Sequence, residues 1–411
     1  MMSDLYHTVI IGGGASGMCA SILLKRNLKN EKIVVLESLS RVGKKLSITG
    51  NGRCNITNCN LNFGAYHGED SSFCHSVLTR YGYDFTVDFF ESIGVPFCCG
   101  ENGKTYPYSL QASSVVDALR FEMERLCVET INEINADAIL NTNSFLSVST
   151  DKGVFNCKNV IVATGSIAGG KKLGGTGDGY NILSALGHKV IVPTESLVQL
   201  KTELNSIKAL NGIKVNATVT SYVNGKKQRS ETGELLFTKY GISGPPVLQI
   251  SRNKIKGDRV VKINFFPEKN YDEIVDMLIS RVNVLSDRNA ENFFVGLLPK
   301  MIGHTILKLC NIGLNNRVNT FDSRICRLLA EKLYSFTLRI TGTNGVENAQ
   351  VIAGGVSTKD FDSVTLESLL CKGVYATGEV LDIDGDCGGY NLQWAWSSAA
   401  AVTEGIIGKE L

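Results

Sequence analysis

"HTVIIGGGASGMCASILLKRN", residues 7–27, decides the fold. An apolar run, a glycine-rich turn and a longer apolar segment read, in that order, as strand, tight turn and helix. Gly12, Gly14 and Gly17 form G-x-G-x-x-G at the junction. Gly12 turns the chain, Gly14 lets backbone approach a pyrophosphate, and Gly17 lets helix and strand pack closely. The helix start offers N–H groups and a positive dipole end to phosphates, and Ala15 and Ser16 lie in that first turn. "KIVVLES" (32–38) reads as the second strand. Glu37 at its end follows Gly17 by 20 residues, where a carboxylate accepts a hydrogen bond from a ribose hydroxyl. Ile134 is assigned to the same cofactor set. A purely structural glycine turn is the alternative, but it leaves the acid at this spacing unexplained.

Working outward, "NVIVATG" (159–165) is a strand ending in Thr164 and Gly165. "GVYATGEVLD" (373–382) is another, with Gly378 and Glu379 at its end. Two-domain flavoproteins commonly carry Gly-Asp there, beside the ribityl chain and pyrophosphate; here glutamate replaces aspartate. With the N-terminal turn, these segments favour FAD over NAD as the bound dinucleotide. No second G-x-G-x-x-G falls on a strand–helix turn, and "GGTGDGY" (174–180) reads as a loop under the cofactor. NAD(P)H is then expected only as a transient reductant, without a domain of its own.

The chain has 411 residues, enough for two or three domains. Its 42 basic and 40 acidic residues give a net charge of +2, which offers no bulk attraction for nucleic acid. The 12 cysteines show no C-x2-C pair, so neither a zinc site nor a disulfide scaffold is expected. No apolar run is long enough for a membrane span. The opening "MMSDLYHTVIIGGG" lacks the pattern of a secretory leader, which predicts a cytoplasmic protein with reduced thiols.

Helical patterns are expected around 71–93 and 112–127. From about 190 the texture becomes β-rich: "IKVNATVTSYVNGKKQRSETGELLF" alternates apolar and polar residues, with Asn224-Gly225 as a hairpin turn. "DRVVKINFFPE" reads as a strand. Between 271 and 335, "YDEIVDMLISRVNVL", "NAENFFVGLLPKMIGHTILKLC" and "SRICRLLAEKLYSF" read as helices. "AQVIAGGV" (349–356) returns to a strand.

Three long segments carry a resemblance: "GKKLSITGNGRCNITN" (43–58), "LLFTKYGISGPPVLQIS" (235–251) and "GEVLDIDGDCGGYNLQWAWSS" (378–398). In this order, with the glycine turn and the ATG strand, the whole chain resembles a bacterial flavoprotein family with an inserted β-barrel and helical module. The resemblance implies FAD and an α/β fold: a discontinuous Rossmann-like FAD-binding domain (1–190 and 349–411) enclosing a β-rich and helical substrate domain (191–348). Characterised members reduce conjugated C=C bonds. One type acts on 3-dehydro-bile-acid 4,6-dienes, another is a ribosomal RNA dihydrouridine synthase. The shared chemistry is hydride transfer from reduced flavin N5 to an electrophilic alkene carbon, with a proton added to its neighbour.

Within "GDCGGYNLQWAW" (385–396), Gly388 and Gly389 allow close backbone approach, and Asn391 and Leu392 begin a helix. If that N-terminus faces flavin N1/O2, its dipole stabilises the reduced anionic ring. The plain alternative is a glycine-rich helix start; Trp394 and Trp396 read as core. In "KKLSITGNGRCNITN" (44–58), Lys44 and Lys45 either meet the pyrophosphate or stay solvated. Gly50, Asn51 and Gly52 can turn sharply and offer N–H groups to the cofactor. Arg53 either grips a substrate carboxylate or phosphate bidentately or forms a structural ion pair. Cys54 is a candidate proton donor, since a thiol of pKa about 8.5 can act as a general acid; a small buried thiol is the alternative. Cys387 and Tyr390 are rival donors. Cys19 and His188 read as structural.

Three functions follow. The leading one is an FAD-dependent reductase of an enone or dienone, with a steroid-like bile acid as substrate. The second is uridine reduction in ribosomal RNA, for which Lys226, Lys227, Arg229, Arg252, Lys254, Lys256 and Arg259 could hold phosphates; a solvated polar face is the alternative. The third is a flavin-binding sensor without turnover.

Overall fold

The computed structural model describes residues 5–142, 144–252 and 257–411. The chain forms two compact units, Met1–Glu195 with Gln350–Leu411, and Ser196–Ala349.

The first unit is built on a mixed sheet whose parallel core is β1 (Tyr6–Ile11), β2 (Ile33–Glu37), β3 (Glu129–Asn132) and β4 (Gly153–Val162), in the order β3-β2-β1-β4. The first half of β4 pairs antiparallel with Leu146–Thr150, the inner strand of a hairpin whose outer strand is Ala136–Asn141. Its second half pairs parallel with Val374–Ala376, so the C-terminal segment completes the sheet. Val9, Ile10, Val34, Val35, Val160 and Ile161 are fully buried. Such unbroken apolar strands belong to a sheet covered on both faces. Helix α1 (Ala15–Asn27) packs with α2 (Ala112–Arg125) and with the C-terminal helix Tyr390–Ile407.

Two glycines set how closely α1 meets the sheet. A Cβ on Gly17 would stand 2.0 Å from the Gly12 carbonyl oxygen. One on Gly12, whose φ is +106°, would stand 2.5 Å from the Ala163 oxygen. Only hydrogen fits at either position.

The stretch 71–93 is not one helix. It breaks into His75–Arg80 and Tyr83–Glu91 around Gly82, where a Cβ would meet the Leu78 oxygen at 2.9 Å.

In the second unit β5 (Leu200–Thr202), β6 (Lys214–Val223), β7 (Lys226–Thr238), β8 (Gly241–Ser243), β9 (Arg259–Asn264) and β10 (Phe336–Thr343) close into a barrel, in the order β5-β8-β7-β6-β9-β10. Asn224 and Gly225 join β6 to β7 with φ of 49° and 77°, as a tight two-residue hairpin requires. Ala217, Val219, Phe237, Ile242, Val261 and Ile263 fill the interior. Helices α3 (Tyr271–Val284), α4 (Lys300–Leu309) and α5 (Ser323–Tyr334) share that core. The segment "NAENFFVGLLPKMIGHTILKLC" opens with a short 3-10 turn at Ala290–Asn292 and is α-helical only from Lys300, because Pro299 lacks an N–H and disfavours helical backbone before it. Among the described residues, no helix is long and apolar enough to cross a membrane.

Candidate functional site

Everything that the sequence singles out for the cofactor lies in the first unit. At the glycine turn Gly14 sits just before α1, and a Cβ there would have no heavy atom within 4 Å. The helix thus opens onto space at the one glycine whose spacing requires it, while Gly12 and Gly17 abut protein. Glu37, 7% exposed, holds the turn: Oε2 accepts from Gly13 N at 2.8 Å and Oε1 from Leu39 N at 2.8 Å. Ile134, buried, donates its N–H to the Glu37 carbonyl at 3.1 Å and so closes the end of β2.

Opposite this turn, Thr164 and Gly165 leave β4. Thr164 Oγ1 is buried without a hydrogen-bond partner among the described residues. Such groups normally find one. Gly165 has open space around its missing side chain. Gly378 faces Ser16, whose Oγ would lie 2.8 Å from an added Cβ. An open glycine at a helix start, a carboxylate 23 residues on and an orphaned hydroxyl fit a dinucleotide such as FAD.

Lys45 is paired within the protein. Its Nζ lies 2.8 Å from Glu379 Oε2, while Glu379 Oε1 accepts from Ile352 N at 3.3 Å. This pair ties the 44–58 segment to the C-terminal strand end. Lys44 is half-buried beside it. Gly50, Asn51 and Gly52 all have left-handed φ, 58°, 56° and 81°, and form an exposed turn. The next side chain, Arg53, forms no ion pair among the described residues; its guanidinium lies 5.2 Å over the Tyr106 ring.

Cys54 points the other way. It is fully buried in the core, and burial pushes its thiol up to about 12. Cys387 and Tyr390 remain half-buried at the start of the C-terminal helix. Burial raises both, with Asp386 adding to the rise, while Lys104 opposes it at Cys387. The Tyr390 hydroxyl donates to Asn60 O at 3.3 Å. Gly388 and Gly389 sit against Asn58 and Thr57, and Asn58 Nδ2 donates to Gly388 O at 2.9 Å.

The helix begins at Tyr390, one residue before Asn391. Asn391 is spent on the preceding turn: its Oδ1 accepts from Gly385 N and its Nδ2 donates to Gly385 O. Leu392 packs against the core. Trp394 and Trp396 are core residues, and each indole N–H is satisfied, by Gly378 O at 3.1 Å and Ile56 O at 3.0 Å. Cys19 is buried in the core, and His188 is buried and stacked on Phe361.

Of the second unit's candidate cations, Arg229 and Arg259 are engaged within the protein. Arg229 pairs with Glu231 at 2.6 Å, and Arg259 donates to Ser251 O at 3.3 Å. Lys226 and Lys227 are exposed. Lys254 and Lys256 lie outside the described residues.

With the geometry in place, comparison decides the family. Residues 6–405 match the HI0933-like protein Rossmann domain. The chain belongs to the HI0933-like family. Within it, the chain is 36% identical over 394 residues to the 3-dehydro-bile acid delta(4,6)-reductase of Clostridium scindens, spanning 95% of this chain and 96% of that protein. It is 32% identical over 409 residues to the ribosomal RNA dihydrouridine synthase of Haemophilus influenzae, spanning 97% and 98%. Among solved structures it resembles the 3-ketosteroid delta1-dehydrogenase of Sterolibacterium denitrificans, with a TM-score of 0.53 at 9% identity, covering 99% of this chain and all of that one. At that identity the likeness is one of fold, and it agrees with the α/β, FAD-type architecture of this HI0933-like chain.

Sequence reasoning missed several residues around the site. His67 pairs with Asp386 at 2.8 Å beside Cys387. Gln393, fully buried, accepts from Thr57 and Thr86 and donates to Tyr81 O, Gly82 O and Ser397. Lys104 and Tyr106 flank Arg53 and Cys387. A glutamine after a glycine-rich helix start was a readable sign of a buried polar hub. The other residues meet only through strand pairing.

Proposed function

We propose that this chain is a cytoplasmic FAD-dependent reductase of conjugated C=C bonds, with a 3-dehydro-4,6-diene bile acid as its substrate and NAD(P)H as electron source. The observation that carries this reading is the full-length relationship to the bile acid reductase, joined to a glycine turn open at Gly14. The residues named below would hold FAD, which when bound would supply hydride chemistry between NAD(P)H and the electrophilic carbon of the alkene.

The residues have distinct tasks. Gly12, Gly14, Ala15, Ser16 and Gly17 seat the pyrophosphate at the start of α1. Glu37, with Ile134 behind it, receives the adenosine ribose. Thr164 and Gly165 line the crossing of β4, where the orphaned hydroxyl supplies a hydrogen bond. Lys44, Lys45, Gly378 and Glu379 border the central part of the cofactor. Gly50–Gly52 and Gly388–Gly389 border its ring end, with the dipole of the helix that Asn391 and Leu392 extend directed at it. Tyr390, with Cys387 as the rival, gives the proton to the neighbouring carbon. Both are held protonated at neutral pH by burial. Cys54 serves packing.

Uridine reduction in ribosomal RNA is the second reading, favoured by the Haemophilus relative. The engagement of Arg229 and Arg259 within the second unit weighs against a phosphate-binding face there. The test is to purify the protein, measure bound FAD, reduce it anaerobically and add each substrate. Reoxidation by the diene supports the proposal. Reoxidation by ribosomal RNA alone transfers the function to the second reading, and reoxidation by neither would leave a flavin-binding sensor.

A further inference from the structure

We propose that Arg53 and Lys104 form a seat for a substrate carboxylate, so that the enzyme selects an anionic enone over its neutral counterpart. This rests on the reductase reading and names the feature by which substrate is chosen.

The left-handed turn at Gly50–Gly52 throws Arg53 outward, over Tyr106. The Tyr106 ring is itself held at its edges: a Cβ on Gly50 would lie 3.9 Å from its Cε1, and one on Gly100 would lie 3.5 Å from its Cε2. A guanidinium stacked on an aromatic face keeps its rim N–H groups available, and that rim matches a carboxylate bidentately. Among the described residues Nε alone is engaged, and weakly, donating to Gly50 O at 3.5 Å.

Lys104 stands two residues before Tyr106 on the strand Lys104–Pro107, hence on the same face. It is half-buried. Cys387 is near enough to feel Lys104 and to act on Tyr106, which links this face to the glycine turn before the C-terminal helix.

The shared face of Arg53 and Lys104 on the Tyr106 strand carries the argument, and charge balance adds to it. Several cations of this unit meet acids: Arg26 and Arg125 with Glu122, Arg80 with Glu404, Lys45 with Glu379. Among the described residues no carboxylate lies within ion-pair distance of Arg53 or Lys104. The nearby Asp386 is turned to His67 at 2.8 Å. Two cations on one face with no internal counter-ion form a site awaiting an anion. Its position beside Cys387 and Tyr390 gives the substrate one fixed end and leaves its reducible end to lie along the ring side of the site.

The test uses the FAD-loaded protein and two probes: a 3-dehydro-4,6-diene bile acid with a free side-chain carboxylate, and its carboxamide. Binding is read from the change in flavin absorbance, and turnover separately. Wild type is expected to bind the acid about tenfold or more tighter than the amide. Arg53→Gln and Lys104→Gln should each raise KM and Kd for the acid about tenfold, leaving kcat, FAD content, melting temperature and amide binding unchanged. Arg53→Lys should restore part of the preference. An acid-to-amide ratio unchanged in both variants overturns the proposal, as does equal binding of the two probes by wild type. If the acid binds with this preference but is not reduced, the seat stands and the reductase reading fails. If the substitutions instead weaken a ribosomal RNA fragment and neither probe binds, the cations serve RNA phosphates and the carboxylate assignment is wrong.

Discussion

Gly14→Ala and Gly17→Ala separate a cofactor contact from a packing constraint. At position 14 the backbone is extended, with φ −78° and ψ −167°, a conformation that alanine adopts freely, and its Cβ would meet nothing within 4 Å. In the apoprotein, reduced entropy of the unfolded chain favours alanine by ~0.4–1 kcal/mol, and the poorer helix cap offsets a few tenths or more. The net change should stay within ~1 kcal/mol, a melting shift under ~3 °C. The same methyl group fills the space through which a pyrophosphate must approach. FAD affinity should therefore fall about 100-fold, or ~2.7 kcal/mol. At position 17 the Cβ would lie 2.0 Å from the Gly12 oxygen, so α1 must move off the sheet. Such overpacking costs ~1–3 kcal/mol in the apoprotein and weakens FAD as a consequence. Urea unfolding of the apoproteins and titration with fluorescent FAD measure the two quantities. A Gly14→Ala protein that binds FAD like wild type, or that loses stability as much as Gly17→Ala, would refute the reasoning.

Four further outcomes are expected. Cys54→Ala should cost ~1 kcal/mol of stability through a small cavity and leave kcat unchanged; a large fall in kcat with the same KM would return the thiol to catalysis. Gln393→Leu strands several buried partners of the amide and should destabilise by ~2–4 kcal/mol in urea unfolding, and a neutral result would show that the network is dispensable. Hydrogen bonds from Arg125 and Arg26 hold the Glu122 carboxyl below its ordinary value. Its contribution is then fully present above the ordinary carboxylate range and lost as pH falls through the lowered value, so Glu122→Gln should flatten the acid limb of the stability profile; identical limbs would contradict this. Charge reversal at Lys226 and Lys227 should leave diene kcat/KM unaltered, and a tenfold loss confined to ribosomal RNA would favour the second reading.

Local spacing made the first unit readable. Gly12, Gly14, Gly17 and Glu37 lie within one strand–turn–helix–strand unit, where each role follows from distance along the chain. The Asn224-Gly225 hairpin was legible for the same reason. Barrel closure was not, because the β5–β10 pairing joins residues far apart, such as Leu200 and Thr343. Cys54 misled because its neighbours Gly52, Arg53 and Asn55 are polar; a φ of 57° turns its own side chain into the core. Nor does spacing place Tyr106 under Arg53, since the strand Lys104–Pro107 reaches that segment only through pairing with Thr57–Asn58. The break at Pro299 could have been anticipated, since the proline was in plain view within an otherwise helical pattern.

The most direct test of the account is anaerobic mixing of the pre-reduced holoprotein with a 3-dehydro-4,6-diene bile acid, followed by flavin absorbance and product mass. The account predicts stoichiometric flavin reoxidation and a product carrying two additional hydrogens. A flavin that stays reduced with the diene but is reoxidised by ribosomal RNA would contradict it.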